Sequence, residues 1–383
     1  VSGSVSPARL GRWAPPAALV VIWLVMSLSN PRFLSAVNLT NLMLQIVAVG
    51  AVAVAVVLVL LIGEIDLSVG AVSGLGAAVT AVLSVKADWP AVLAILAGLA
   101  TGALVGLLHA AMVTRVGVPS FVVTLAGLLT WQGALLLVLG DTGSVNIDDP
   151  QLVAIAGTFL SPALGWLLAA LVTGGAVLAI VGYLRGVRPR PARRVWPWVV
   201  AAIGAPVAVA VFNADRGVPL AVVVFLLLLA GGDLMVRRTR LGRHAVATGS
   251  NASGARRAGI KVDRIRLAVF MLASVLAVTG GILAASRLLA VNQSSGSTDL
   301  MLTAVAAAAI GGTSLFGGRG TVWSALLGAL VVGSLANGLD LLGASSPIRL
   351  IATGLVLALA VGLDTLAHRA ELTPFREHSR PGP

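Results

Sequence analysis

The sequence predicts an all-α polytopic membrane protein of about ten to twelve transmembrane helices, some broken or re-entrant, with one short helix in a cytoplasmic loop. Three observations carry this. Of the 383 residues, 58% are hydrophobic and only 10% charged, against about 25% charged in a soluble domain. Twelve apolar segments approach the ~20 residues that cross a bilayer as a helix. The basic residues between them fall mostly on alternate connections.

The segments lie at 15–29, 42–62, 67–85, 91–113, 120–139, 162–182, 196–212, 218–236, 267–289, 300–314, 321–339 and 347–366. The first has no small-residue cleavage site after it, so it reads as a retained helix rather than a signal peptide. Segment 67–85 is rich in glycine and serine and 300–314 is short, so both are expected to be broken or re-entrant. Pro189 and Pro191 exclude a helix from 184–194, which reads as a basic cytoplasmic linker. Residues 195–236 follow as a hairpin of two spans, with Trp196 and Trp198 at headgroup level. Trp13, Trp23, Trp89 and Trp166 take the same interfacial reading. Residues 237–266 form the longest polar interruption, and 367–383 a cytoplasmic tail. The whole of 1–383 reads as one transmembrane domain.

Charge tests this layout. With the N-terminus inside and twelve spans alternating, 21 of the 26 Lys and Arg residues are cytoplasmic. Arg32, Lys86, Arg216, Arg287 and Arg349 fall outside, with Asp88, Asp141, Asp148, Asp149, Asp215 and Asp299. That bias is the positive-inside pattern and puts both termini in the cytoplasm. It also accounts for the net charge of +12 through membrane loops and lipid, without a nucleic-acid partner. The absence of cysteine excludes disulfides, thiolate metal sites and thiol nucleophiles. His109, His244, His368 and His378 form no helical metal pair, so neither a metal site nor a catalytic group is expected.

The loop 237–266 holds nine Lys and Arg and one acid, Asp263. Ser250 or Asn251 is suited to capping a short helix, because its side-chain oxygen accepts from an otherwise unpaired backbone N–H. Gly259 is suited to ending it, because glycine enters the left-handed region without steric cost. Between them stand Ala252, Gly254, Ala255, Arg256, Arg257 and Ala258. Such a small-residue helix fits a groove of another protein while its arginines reach carboxylates. A basic loop that only sets topology has the same composition, and both readings stand.

Glu64 and Asp66 follow a long apolar run and must face protein or water. Asp66, with Ser68, is expected to cap the next helix; Glu64 has no such account. Gly63–Leu67 and Gly296–Leu300 open two glycine- and alanine-rich segments from opposite sides, as inverted repeats do. Residues 311–320 are glycine-rich but lack the Gly-Lys-Ser/Thr of a phosphate loop. They suit a tight cytoplasmic reversal, and the chain carries no ATP-hydrolysing motif of its own. Asn41, Gln45, Gln132 and Asn337 are neutral amides within spans. They suit an uncharged polyol, or ordinary interhelical hydrogen bonds. Trp131 beside Gln132 offers a stacking face for a sugar ring.

Five stretches resemble the permease subunits of ABC importers for monosaccharides, the ribose/xylose branch. They are GEIDLSVGAVSGLGAAV (63–79), GVPSFVVTLAGLLTWQGALL (117–136), GSNASGARRAGI (249–260), STDLMLTAVAAAAIGGTSLFGGRGTV (297–322) and LANGLDLLGASSPIRLIATGLVLALAVGLD (335–364). The longer 184–236 region looks more like the xylose subgroup, and Glu64 stands where relatives often carry a second glycine. The resemblance implies a bacterial inner-membrane, multi-pass permease working as a homodimer. It implies a tandem-domain ATPase, which binds the ATP and magnesium, and an extracytoplasmic sugar-binding protein. It implies that Ser250–Gly259 is the coupling helix. The polar residues read from the spans and their ends, Asn41, Gln45, Glu64, Asp66, Trp131, Gln132 and Asn337, are the candidates for the membrane pathway. A permease for a nucleoside or autoinducer, or an ion-coupled carrier, is the alternative.

Overall fold

The computed structural model describes residues 7–185 and 195–372. A helix covers each of the twelve predicted segments. They are α1 (Pro7–Ser29), α2 (Ala36–Leu61), α3 (Val69–Val85), α4 (Ala91–Ala111), α5 (Ser120–Leu139), α7 (Pro162–Leu184), α8 (Trp196–Asn213), α9 (Leu220–Arg238), α12 (Val262–Leu288), α13 (Thr298–Ile310), α14 (Trp323–Leu341) and α15 (Ser346–Leu372). Three short helices lie between spans: α6 (Pro150–Gly157), α10 (Arg240–Ser250) and α11 (Ala252–Arg257). Among the described residues, eight helices are long and apolar enough to cross a membrane. α3 and α13, in the segments expected to be broken or re-entrant, fall short of that length, and each is one unbroken helix.

The core is built on α2 and α12, which pack against each other. α2 is a run of valine, alanine and leucine buried on all sides. A helix apolar all round belongs inside a bundle. Lipid tails are as apolar as leucine, so helices in a membrane are held by close packing of small residues. α4 shows how. Gly98, Gly102 and Gly106 recur every fourth residue, and side chains there would meet Thr80, Ser274 and the backbone of Phe270 and Met271 on α3 and α12.

The packing repeats. α3 packs on α4, α5 and α12; α13 packs on α14, α15 and α2. α4 lies on α12, and α14 on α2. The last turn of α2 and the first of α12 sit at the same end of the bundle, where Glu64 meets Arg266, so the two helices run in opposite directions. The sets α2–α5 and α12–α15 therefore form an inverted repeat. Gly63 and Gly296, the glycines of the matched pentads, both adopt left-handed backbone, with φ of 75° and 71°.

Two short antiparallel strand pairs tie the opposite end together. β1 (Ser144–Asn146) pairs with β4 (Ala290–Asn292), and β2 (Phe159–Leu160) with β3 (Val218–Pro219). Three expectations need correction. Residues 195–236 do not pair as a hairpin: α8 packs on α7, while α9 packs on α2 and buries Phe225 against Gly50. Trp23 is an interhelical contact rather than an interfacial anchor, since its indole N–H donates to Ser334 Oγ at 2.9 Å. The short helix α10 inside the polar loop was not anticipated, although Leu241, Ala245 and Thr248 recur at helical spacing and face inward. The linker 184–194 beyond Arg185, and the tail beyond Leu372, lie outside the described residues.

Candidate coupling face and the polar residues of the spans

One end of the bundle carries the nine basic residues of 237–266, and its geometry is built from the α9–α12 segment. Thr239 ends α9 and caps α10, its hydroxyl donating to Met235 O at 2.6 Å and accepting from Gly242 N at 3.2 Å. α10 buries Gly242, Ala245 and Thr248 and leaves Arg240 and Arg243 exposed. The chain then turns at Asn251, whose Oδ1 accepts from Gly254 N at 2.8 Å and caps α11. Such a cap stabilises a helix start by about 1 kcal/mol. Ser250 is the last residue of α10, and its hydroxyl donates to Val246 O. Gly259, at φ 81°, ends the helix. Gly259 N donates to Arg256 O and Ile260 N to Ala255 O, both at 3.0 Å. These two bonds are the paired closure that a left-handed glycine allows.

α11 presents a defined surface. Ala255 is buried, Ala252 and Gly254 are half-buried, and Asn251, Arg256, Arg257, Ala258 and Gly259 are exposed. Arg256 Nη2 meets Asp263 Oδ1 at 3.1 Å, with both side chains more than half exposed. Arg257 pairs with no carboxylate among the described residues. One of the two arginines is thus already partnered within the chain, and the other is open.

This surface rests on a junction of glycines. Gly249 lies against the Leu61 carbonyl and 2.7 Å, measured from where its Cβ would stand, from Gly318 N. Gly63 lies against Gly317 and Gly249, and Gly318 N donates to Leu61 O at 3.2 Å. Three backbones therefore touch directly: the end of α2, the end of α10 and the loop 311–320. The tight reversal expected of that loop is present, with Gly312, Gly317 and Gly318 at positive φ. Beside the junction Glu64 Oε1 meets Arg266 Nη2 at 2.5 Å, with side chains 10% and 21% exposed. That pair explains how Glu64 is tolerated: a buried carboxylate needs a partner.

Asp66 does not cap α3 as expected. Its Oδ1 accepts from Ser68 N at 2.8 Å and from Ser68 Oγ at 2.6 Å, so it braces the turn ahead of the helix. The N-cap position is Ser68 itself, which makes no side-chain cap bond. Ser68 stands in helical rather than extended backbone, which rules out the usual cap geometry.

The other polar candidates occupy separate places. Asn41 is exposed near the far end of α2, its Oδ1 3.5 Å from Arg216 Nη2. Gln45 is half-buried one turn further along. Asn337 on α14 exchanges two amide hydrogen bonds with Asn38, at 2.9 and 3.1 Å. Trp131 is half-buried on α5 and donates its indole N–H to His109 Nε2 at 2.9 Å; Gln132 is half-buried beside it. Asn41, Gln45 and Asn337 thus group about the far end of α2, and Trp131 and Gln132 stand on α5. Sequence reasoning missed Asn38, Gly249 and Arg266 as partners, because each acts on a residue more than 180 positions away. The glycines at 249, 317 and 318 were the only local signal.

At the opposite end of the bundle, Asp149 caps α6, accepting from Gln151 N and Leu152 N, and accepts from Ser84 Oγ at 2.8 Å. Burial works against its ionisation, but the three hydrogen bonds outweigh it and hold the carboxyl below its usual range.

Residues 38–361 match the family described as the branched-chain amino acid transport system permease component. The chain is 36% identical over 364 residues to the xylose transport system permease protein XylH of Escherichia coli K12, covering 92% of this chain and 91% of that one. It is 34% identical to XylH of Haemophilus influenzae, covering 91% and 94%. It is 31% identical to the ribose import permease protein RbsC of Escherichia coli K12, with 91% of each chain covered. No solved structure matches. With eight candidate spans and a match along nearly its whole length, the chain is a multi-pass membrane protein that belongs to this family of transport-system permeases.

Proposed function

We propose that the chain is the membrane-spanning permease of an ATP-driven importer that carries a monosaccharide, a pentose such as xylose, across the bacterial inner membrane. The observation that carries the reading is the full-length likeness to xylose permeases, which exceeds that to ribose permeases. The chain itself moves the sugar and hydrolyses nothing. A tandem-domain ATPase binds ATP and magnesium on the basic face, and an extracytoplasmic sugar-binding protein delivers cargo to the other. The charge bias supports a cytoplasmic basic face and cytoplasmic termini.

α11, with Ser250–Gly259, is the coupling helix in this reading. Its exposed face and the open Arg257 support docking into a groove with carboxylates. Its footing on the glycine junction supports transmission, because backbones in direct contact cannot slip past one another without moving. Closure of the ATPase then biases the bundle between two global states. A second copy of the chain completes the pathway.

The test is Arg256→Glu with Arg257→Glu in the assembled transporter. Uptake is expected to disappear while membrane abundance stays normal. Normal uptake would overturn the coupling role. Uptake by the purified chain alone, driven by a proton or sodium gradient, would overturn the ATP-driven reading.

A further inference from the structure

The turn 63–68 touches the end of α10, the loop 311–320, α12 and α5. Gly63 abuts Gly249 and Gly317, and Glu64 holds Arg266 on α12. Ile65 is held on both sides by α5. Its N–H donates to Ser120 Oγ at 3.4 Å, and its carbonyl accepts from Thr124 Oγ1 at 3.2 Å. Asp66 comes next. Ser120, Thr124, Gly127 and Trp131 recur along one face of α5, and that face continues onto His109 of α4.

Two atoms there have no hydrogen-bond partner among the described residues: Asp66 Oδ2 and His109 Nδ1. Both residues are more than nine-tenths buried, at 5% and 3% exposure. Ile65, next to Asp66, is bonded to Thr124 of α5, and His109 lies against Gly127, one turn further along the same face. The chemistry of the two atoms is complementary. The Trp131 indole donates to His109 Nε2, so a neutral imidazole carries its proton on Nδ1. A buried donor and a buried acceptor thus flank the same face of α5, with neither used. Buried polar groups are almost always paired, and an exception calls for a reason.

We infer that Asp66 and His109 form a latch. His109 Nδ1–H donates to Asp66 Oδ2 in the other end state of the transport cycle, when movement of the coupling loop carries the turn 63–68 toward α4. Formation of this bond favours that state. His109 is a positioning residue: it touches no sugar, and acts through Asp66. The inference rests on the coupling role proposed for α11.

Asparagine and glutamine separate the two ring nitrogens. His109→Asn puts an amide N–H near the place of Nδ1 and keeps the donor to Asp66. His109→Gln puts an amide near the place of Nε2 and keeps an acceptor for Trp131, but loses the donor. The assay is the complete transporter in proteoliposomes, with ATP hydrolysis and sugar uptake measured together. His109→Gln is expected to raise the ATP consumed per sugar about tenfold, a usual size for a coupling term, with the Trp131 part of the fluorescence, taken by difference from Trp131→Phe, unchanged. His109→Asn is expected to keep the parental ratio. Asp66→Asn keeps an oxygen for Ser68 and turns a second donor toward His109, so it should reproduce the His109→Gln result even if that variant assembles poorly. A parental ratio in both His109→Gln and Asp66→Asn overturns the latch. If instead the Arg256 and Arg257 reversals leave uptake intact, it is the coupling helix that fails, and the two failures are distinguishable.

Discussion

Replacing Glu64 by glutamine removes one charge from a pair that joins the α2–α3 turn to α12. The cost follows from exposure. Removing one partner of a fully buried pair costs about 3–5 kcal/mol, and an exposed pair contributes about 0–1 kcal/mol. Glu64 and Arg266 stand between these limits, nearer the buried one, at 10% and 21% side-chain exposure. A loss on the order of 2 kcal/mol is expected. Arg266 adds to it, because its Nε already lacks a partner and the guanidinium would be left with little else to hold it. The measurement is denaturant unfolding of the detergent-solubilised protein for Glu64→Gln, Arg266→Gln and the double variant. The double variant should be less damaged than the two single losses added together, since the second substitution removes a charge that the first stranded. The coupling should also persist in salt, because a pair of this burial is screened weakly. Additivity within about 0.5 kcal/mol would refute the reasoning, and would mean that the carboxylate is solvated rather than paired.

Two further outcomes follow from geometry. Gly249→Ala drives a methyl group into the Leu61 carbonyl beside Gly318 N. Backbone atoms cannot turn aside as side chains do, so a loss of about 1–3 kcal/mol is expected, with uptake lost at normal membrane abundance. Gly174→Ala, where nothing lies within 4 Å, is the neutral control in the same thermal assay. The third concerns Asp149, whose folded-state pKa is depressed. Its charge-dependent stabilisation is present above the unfolded-state value of about 3.9 and is lost as pH falls through the lower folded-state value. Asp149→Asn should therefore unfold more readily than the parent near neutrality, and the gap should close in acid; a gap that is constant with pH would contradict the assignment.

Sequence alone determined what depends on local composition and spacing. Apolar length placed twelve helices, because a bilayer demands about 20 apolar residues wherever the chain crosses it. Glycine and serine content singled out α3, which is shorter than a full span but unbroken. Ser250 or Asn251, with Gly259, marked the ends of α11, since a cap needs only a side-chain oxygen at the right offset and a backbone free to take positive φ; the structure chose Asn251. Tertiary structure alone decided which residues meet. The sequence holds no record that Glu64 faces Arg266, that Asn337 faces Asn38, or that Gly63, Gly249 and Gly317 stack. Each contact depends on the angle and depth at which separate helices cross. In a membrane that angle is set by small differences in side-chain size along the whole interface, because lipid gives no hydrophobic preference for one neighbour over another. For the same reason Trp131, legible as a tryptophan within a span, could not be assigned to His109 until α4 and α5 were seen side by side.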